Sequence, residues 1–176
     1  MKNFLVYLIG TSGSGKTTIG EALERELNKR GNKNLQFIDG DVIRAEFGNI
    51  FGYTLEERMK CNQAVRVVLK YLLNNSVSVI LAQVCAYQEI RDKMRKAFEE
   101  QYVEIYVKCS YEECARRDVK GYYKRQQENT LENLNGANDV FEEPKHSEIV
   151  IDTEQVSIEE AVNMIIHYLE KSGYIV

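Results

Sequence analysis

The stretch Gly10-Thr11-Ser12-Gly13-Ser14-Gly15-Lys16-Thr17 fits G-x-x-x-x-G-K-[ST]. Glycines in this pattern let backbone N–H groups converge on phosphate oxygens, which side chains would block. The following helix points its positive end at the same phosphates. Lys16 reaches the β/γ-phosphates, and the Thr17 hydroxyl holds Mg²⁺. An apolar run precedes the stretch and a helical pattern follows, which is the context the motif requires. The stretch predicts binding of a nucleoside triphosphate with Mg²⁺. A plain Gly-rich turn between strand and helix is the competing reading.

Asp39-Gly40-Asp41 closes the second apolar run. Ligands of open α/β sheets bind at the carboxyl ends of strands, so these carboxylates should face the loop. One can orient metal-bound water, and the other can accept a proton from an attacking hydroxyl. Arg44, a helical turn beyond Asp41, can grip an anionic group with its guanidinium fork. The competing reading for either Asp is a helix N-cap.

Those residues need a scaffold. Apolar runs at 4–9, 35–39, 77–83, 102–108 and 148–152 predict five strands. Helical patterns at 18–30, 54–74, 87–100, 110–118 and 157–172 separate them. Thr54/Glu57, Ser110/Glu113 and Ser157/Glu160 have capping-box spacing. Strands alternating with helices imply an α/β fold, a three-layer α/β/α arrangement around a five-stranded parallel sheet. Residues 119–145 fit neither period, carry the chain's lone proline, Pro144, and read as a lid.

The 176 residues predict one domain over 1–176. A net charge of −4 argues against a general binder of nucleic-acid polymers or anionic membranes. No apolar run approaches the ~20 residues of a membrane span. Cys61, Cys85, Cys109 and Cys114 form no C-x-x-C pair, and His146 and His167 complete no zinc pattern. Free thiols in a reducing compartment, and hence a cytoplasmic protein, are expected.

The whole constellation resembles the adenylylsulfate (APS) kinase family. The likeness rests on the phosphate loop, FIDGDVIR at 37–44, GYTLEER at 52–58, YVEIYVKCSYEECARRDVKGYYK at 102–124 and GANDVFEEPKHSEIVIDT at 136–153. It implies a P-loop kinase that transfers the γ-phosphoryl of ATP to a nucleotide 3′-hydroxyl, normally of APS, giving 3′-phosphoadenylylsulfate (PAPS). It implies ATP-binding roles for Gly13, Ser14, Gly15, Lys16, Thr17 and Thr18, with Arg117 and Lys120 in a lid over the nucleotide. Asp39 with Thr17 would hold the metal, and Asp41 would position the attacking hydroxyl. Arg44 and Arg58 would grip the acceptor's anion, and Tyr53 and Phe141 would sandwich its base. The resemblance also suggests a homodimer.

The likeness breaks on the acceptor side. Family members usually carry Asn three residues after the Arg matched by Arg58, then an Arg-rich turn; here the stretch is Cys61-Asn62-Gln63-Ala64. An Ile-Ser-Pro-Tyr-Arg stretch after the third strand is replaced by Val84-Cys85-Ala86-Tyr87-Gln88. Hydrogen-bonding positions have become thiols, which are weak partners, and positive charge is lost. The acceptor is therefore APS or another nucleotide with a small 5′-diphosphate-linked group, such as cytidine diphosphoramidate. A third reading is a regulatory module that binds ATP and transfers nothing.

Overall fold

The apolar runs become β1 (Leu5–Ile9), β2 (Leu35–Asp39), β3 (Ser78–Gln83), β4 (Tyr102–Lys108) and β5 (Ile149–Asp152). They pair in parallel, in the order β2-β3-β1-β4-β5. Leu5 stands beside Val79 on one side and Tyr102 on the other. The computed structural model describes residues 2–48, 50–118, 120–128 and 140–176. Among these residues no helix is long and apolar enough to cross a membrane.

The central strand is apolar on both faces because both faces are covered. Val6 and Leu8 pack with Ile19, Leu23 and Leu27 of α1 (Lys16–Lys29) and with Ile165 and Leu169 of α7 (Ile158–Lys171). Leu5, Tyr7 and Ile9 point the other way, toward Val65 and Leu69 of α3 (Leu55–Asn74) and Ile90 and Met94 of α4 (Gln88–Phe98). Period-2 strands sandwiched by period-3.6 helices give the three expected layers. Fully burying one such aliphatic side chain contributes about 1.5–3 kcal/mol.

The capping boxes of α3 and α7 form as their spacing predicts. The third differs. Ser110 accepts from the Glu113 amide at 3.2 Å and starts α5 (Tyr111–Arg117). The Glu113 carboxylate, however, turns to Arg116 and Arg117 instead of reaching back. Two charged partners outcompete one backbone N–H. Two helices lie outside the predicted set, α2 (Gly40–Glu46) and α6 (Tyr122–Gln127). Both are too short to show a period. α6 occupies the start of the segment read as an irregular lid, and residues 129–139 of that segment lie outside the described residues.

Candidate functional site

β1 lies between β3 and β4; the chain runs from β1 to β2 on one side and crosses past β1 from β3 to β4 on the other, so the carboxyl end of β1 opens a crevice. The loop after Ile9 fills that crevice. Gly13 has φ 80°, and a Cβ there would sit 3.2 Å from the Cys114 carbonyl oxygen. Gly15 has φ 103° and precedes α1 without any side-chain cap. The first amides of α1 are thus left open to an anion, as a phosphate site needs.

Lys16 is buried at 8% exposure, and its Nζ donates to the Thr11 carbonyl at 2.6 Å. Burial pushes its ammonium pKa down to about 8, against the pull of Asp41. Thr17 Oγ1 donates to Asp39 Oδ2 at 2.7 Å. Asp39 Oδ1 accepts from the Asp41 amide at 2.8 Å and the Val42 amide at 3.4 Å. Asp39 therefore caps α2 with one oxygen and meets the phosphate loop with the other.

Thr17 and Asp39 fit a hard divalent cation. Mg²⁺ takes oxygen ligands at 2.0–2.1 Å in octahedral geometry, so adjacent ligand oxygens lie roughly 2.9 Å apart. The 2.7 Å between Thr17 Oγ1 and Asp39 Oδ2 is close to that edge. An oxygen-only pair beside a phosphate loop, leaving other positions to phosphate and water, is also the usual Mg²⁺ donor set.

Asp41 accepts from Lys120 Nζ, an ion pair that ties the start of α2 to the segment between α5 and α6. Each of the three side-chain nitrogens of Arg117 has a partner. Its Nε donates to Glu113 Oε1 at 2.8 Å, and its two Nη atoms donate to the Thr153 hydroxyl and carbonyl, each at 3.1 Å. Arg116 and Arg117 hold the Glu113 carboxyl down at about 2. Gly13, Gly15, Lys16, Thr17, Thr18, Asp39, Asp41, Arg117 and Lys120 all line one cavity of about 440 Å³. Ser14 is fully buried beneath it, with its Oγ 3.5 Å from Lys16 Nζ.

The cavity also exposes residues that the motifs do not single out. Tyr123 lines it and donates to the Ser12 carbonyl at 2.8 Å, buttressing the loop. Thr153, just past β5, lines it as well. The rule that ligands gather at strand carboxyl ends points to Thr153. Tyr123 sits in a segment without periodicity; only the stretch 102–124 that carries the family resemblance points to it.

Of the acceptor candidates, Arg44, Tyr53, Arg58 and Cys61 lie together, while Phe141 packs elsewhere against Tyr106. Arg44 Nη2 donates to the Phe51 carbonyl at 2.5 Å and to the Gly52 carbonyl, and its guanidinium stacks on Tyr53 at 4.4 Å. Arg58 stacks on the same ring at 5.3 Å and donates to the Tyr53 carbonyl at 2.7 Å. Tyr53 is 52% exposed, a ring presented on two cations. Cys61 and Cys85 are both 1% exposed. Burial raises the Cys61 thiol despite neighbouring Arg44 and Arg58, and lifts Cys85 to about 11 despite its contact with Tyr7. Phe141 stacks on Tyr106, with centroids 6.0 Å apart and planes 23° apart. None of these six lines the phosphate cavity. All four cysteines are free.

The adenylylsulphate kinase family model matches residues 2–152. The adenylyl-sulfate kinase of Oceanobacillus iheyensis is 39% identical over 175 residues, covering 99% of this chain and 87% of that protein. The Aeropyrum pernix protein described as a probable adenylyl-sulfate kinase is 39% identical over 165 residues, 92% of this chain and 90% of that protein. The Mycobacterium tuberculosis APS kinase CysC, solved in complex with AMPPNP and APS, superposes with a TM-score of 0.90 over 96% of this chain and 98% of that chain, at 24% identity.

Proposed function

Because the chain belongs to the adenylylsulphate kinase family, we propose that it transfers the γ-phosphoryl group of ATP to the ribose 3′-hydroxyl of APS, giving PAPS and ADP. It is an ATP-binding P-loop kinase, a phosphotransferase with an alcohol group as acceptor. The observation that carries the finer reading is the shared cavity. It sets the phosphate loop and Lys16 beside a second carboxylate, Asp41, which the metal pair Thr17/Asp39 does not use.

In this reading the open amides and Lys16 hold the β- and γ-phosphates, and Lys16 stabilises charge as it shifts toward the leaving oxygen. Thr17 and Asp39 would hold Mg²⁺, which neutralises phosphate charge when bound. Asp41 accepts the proton of the 3′-hydroxyl as its oxygen attacks phosphorus and the bond to the β-phosphate oxygen breaks. Lys120, now on Asp41, moves onto the phosphates as the hydroxyl takes its place. Arg44, Arg58, Tyr53 and Phe141 bind the acceptor, which the relatives of this family favour as APS.

The test follows ADP release and ³¹P NMR with ATP, Mg²⁺ and APS, and separately with cytidine diphosphoramidate. A new 3′-phosphate resonance with APS is expected. A signal only with the cytidine compound overturns the acceptor and keeps the kinase. No ADP with either compound overturns the transfer itself.

A further inference from the structure

Arg91 is the most deeply buried cation of the chain's core, at 0% exposure. Among the described residues its guanidinium meets only neutral oxygens. Nη1 donates to the Cys85 carbonyl at 2.6 Å. Nη2 donates to Gln88 Oε1 at 2.9 Å and to the Glu142 carbonyl at 2.8 Å. Nε has no hydrogen-bond partner there. A buried cation facing only neutral groups is costly, and a hydrocarbon side chain of similar volume would pack the space as well. What a hydrocarbon cannot do is join two backbone carbonyls that lie far apart in the chain.

The joined carbonyls belong to two acceptor-side segments. Cys85 lies in the connection that leaves β3, and Glu142 directly follows Phe141. Two more bonds tighten the same clasp. The Glu142 amide donates to the Ala86 carbonyl at 2.8 Å, and the Gln88 amide donates to Glu142 Oε2 at 2.6 Å. Glu142 is thus held through its N–H, its C=O and its carboxylate by residues 86, 91 and 88. Phe141, one residue earlier, lies against Tyr106, whose phenol is pushed up to about 12 by burial and then by Glu143, while Arg91 acts in the opposite sense.

We propose that Arg91 is a positioning residue for the acceptor: by clasping Glu142 to the β3–α4 connection it fixes where Phe141 presents its ring. The inference rests on the reading of Phe141 as a platform for the acceptor base. It makes acceptor binding, and not ATP binding, depend on a side chain that no ligand touches.

The experiment compares Arg91→Met, Arg91→Lys, Phe141→Leu and the double variant Arg91→Met/Phe141→Leu, using APS and ATP. Arg91→Met should raise the KM for APS by about 10- to 100-fold, the worth of one base stack. The KM for ATP should stay within about twofold. Arg91→Lys should not restore it, because an ammonium lacks the fork that spans both carbonyls. The double variant should be no worse than Phe141→Leu alone, since both act through one ring. Parallel rises in both KM values, or effects that add in the double variant, overturn the proposal. Amide exchange supplies a readout that needs no acceptor. Arg91→Lys should speed exchange at Glu142 by about tenfold or more and leave the phosphate loop unchanged. Unchanged exchange at Glu142 overturns the proposal even if Arg91→Met does not fold. A wild-type protein that ignores APS while Arg91→Lys loosens Glu142 counts against the acceptor assignment alone.

Discussion

The phosphate half and the acceptor half of this crevice are built on different terms. On the phosphate side the functional groups hold one another around a common cavity: Lys16 on the loop carbonyl, Thr17 on Asp39, Lys120 on Asp41. In the proposed reaction, incoming phosphate and metal would replace those partners. On the acceptor side the cations are turned inward. Arg44 and Arg58 bond the carbonyls of Phe51, Gly52 and Tyr53, and the two thiols are buried. The lesson is that a phosphate site can be made mostly from one backbone turn, whereas the proposed base-and-anion site draws its residues from α2, the loop before α3, α3 itself and the segments after β3 and before β5.

The largest expected effect lies where the halves meet. Asp41→Asn keeps shape and removes the proton acceptor. Turnover should fall by about 10²- to 10⁴-fold while the KM for ATP hardly moves. Steady-state kinetics decide it, and normal turnover removes Asp41 from the mechanism. A smaller effect should come from Arg44→Lys. A lysine ammonium cannot hold both carbonyls and also lay a planar cation on the Tyr53 ring. The KM for the acceptor should rise by about tenfold, the worth of one good polar contact, with ATP affinity unchanged. If the KM for ATP rises equally, the two halves are one mechanical unit and the contrast between them breaks.

The same contrast governs what the sequence reveals. The phosphate loop is legible because its backbone chemistry lies in consecutive residues and dictates glycine at Gly13 and Gly15. The strands are legible because both faces of β1 are buried, which leaves a continuous apolar run. Thr54 and Ser157 announce their helices through side chains that act within a single turn. The acceptor side resists reading because its contacts span distant segments. No spacing shows that Arg44 is spent on the carbonyls of Phe51 and Gly52, or that Arg91 reaches Glu142. α2 and α6 escape for a related reason: helices of seven and six residues start from caps and tertiary contacts, not from an apolar period. Asp39 was open to two readings because one carboxylate has two oxygens, and the structure uses both.

The smallest effect probes the phosphate half alone. The buried Lys16 ammonium has a pKa of about 8, against an ordinary 10.5. Its folded value is depressed, so between about pH 8 and 10.5 the unfolded chain binds more protons at this site than the folded one. The ligand-free protein should therefore gain stability from this group as pH rises through that window, and carry the full cost of the buried charge below about pH 8. ATP reverses the balance, because its phosphates favour the charged ammonium. ATP binding at about pH 9 should thus take up a proton at Lys16, and binding at about pH 7 should take up almost none. Titration calorimetry in two buffers of different ionisation enthalpy reads this directly. The observed heats should diverge at the higher pH and coincide at the lower, with ATP affinity falling at most about tenfold per pH unit above the folded pKa. Heats independent of buffer at both pH values mean that Lys16 keeps an ordinary pKa. The phosphate half would then lose the buried, poised cation that sets it apart from the paired arginines of the acceptor half.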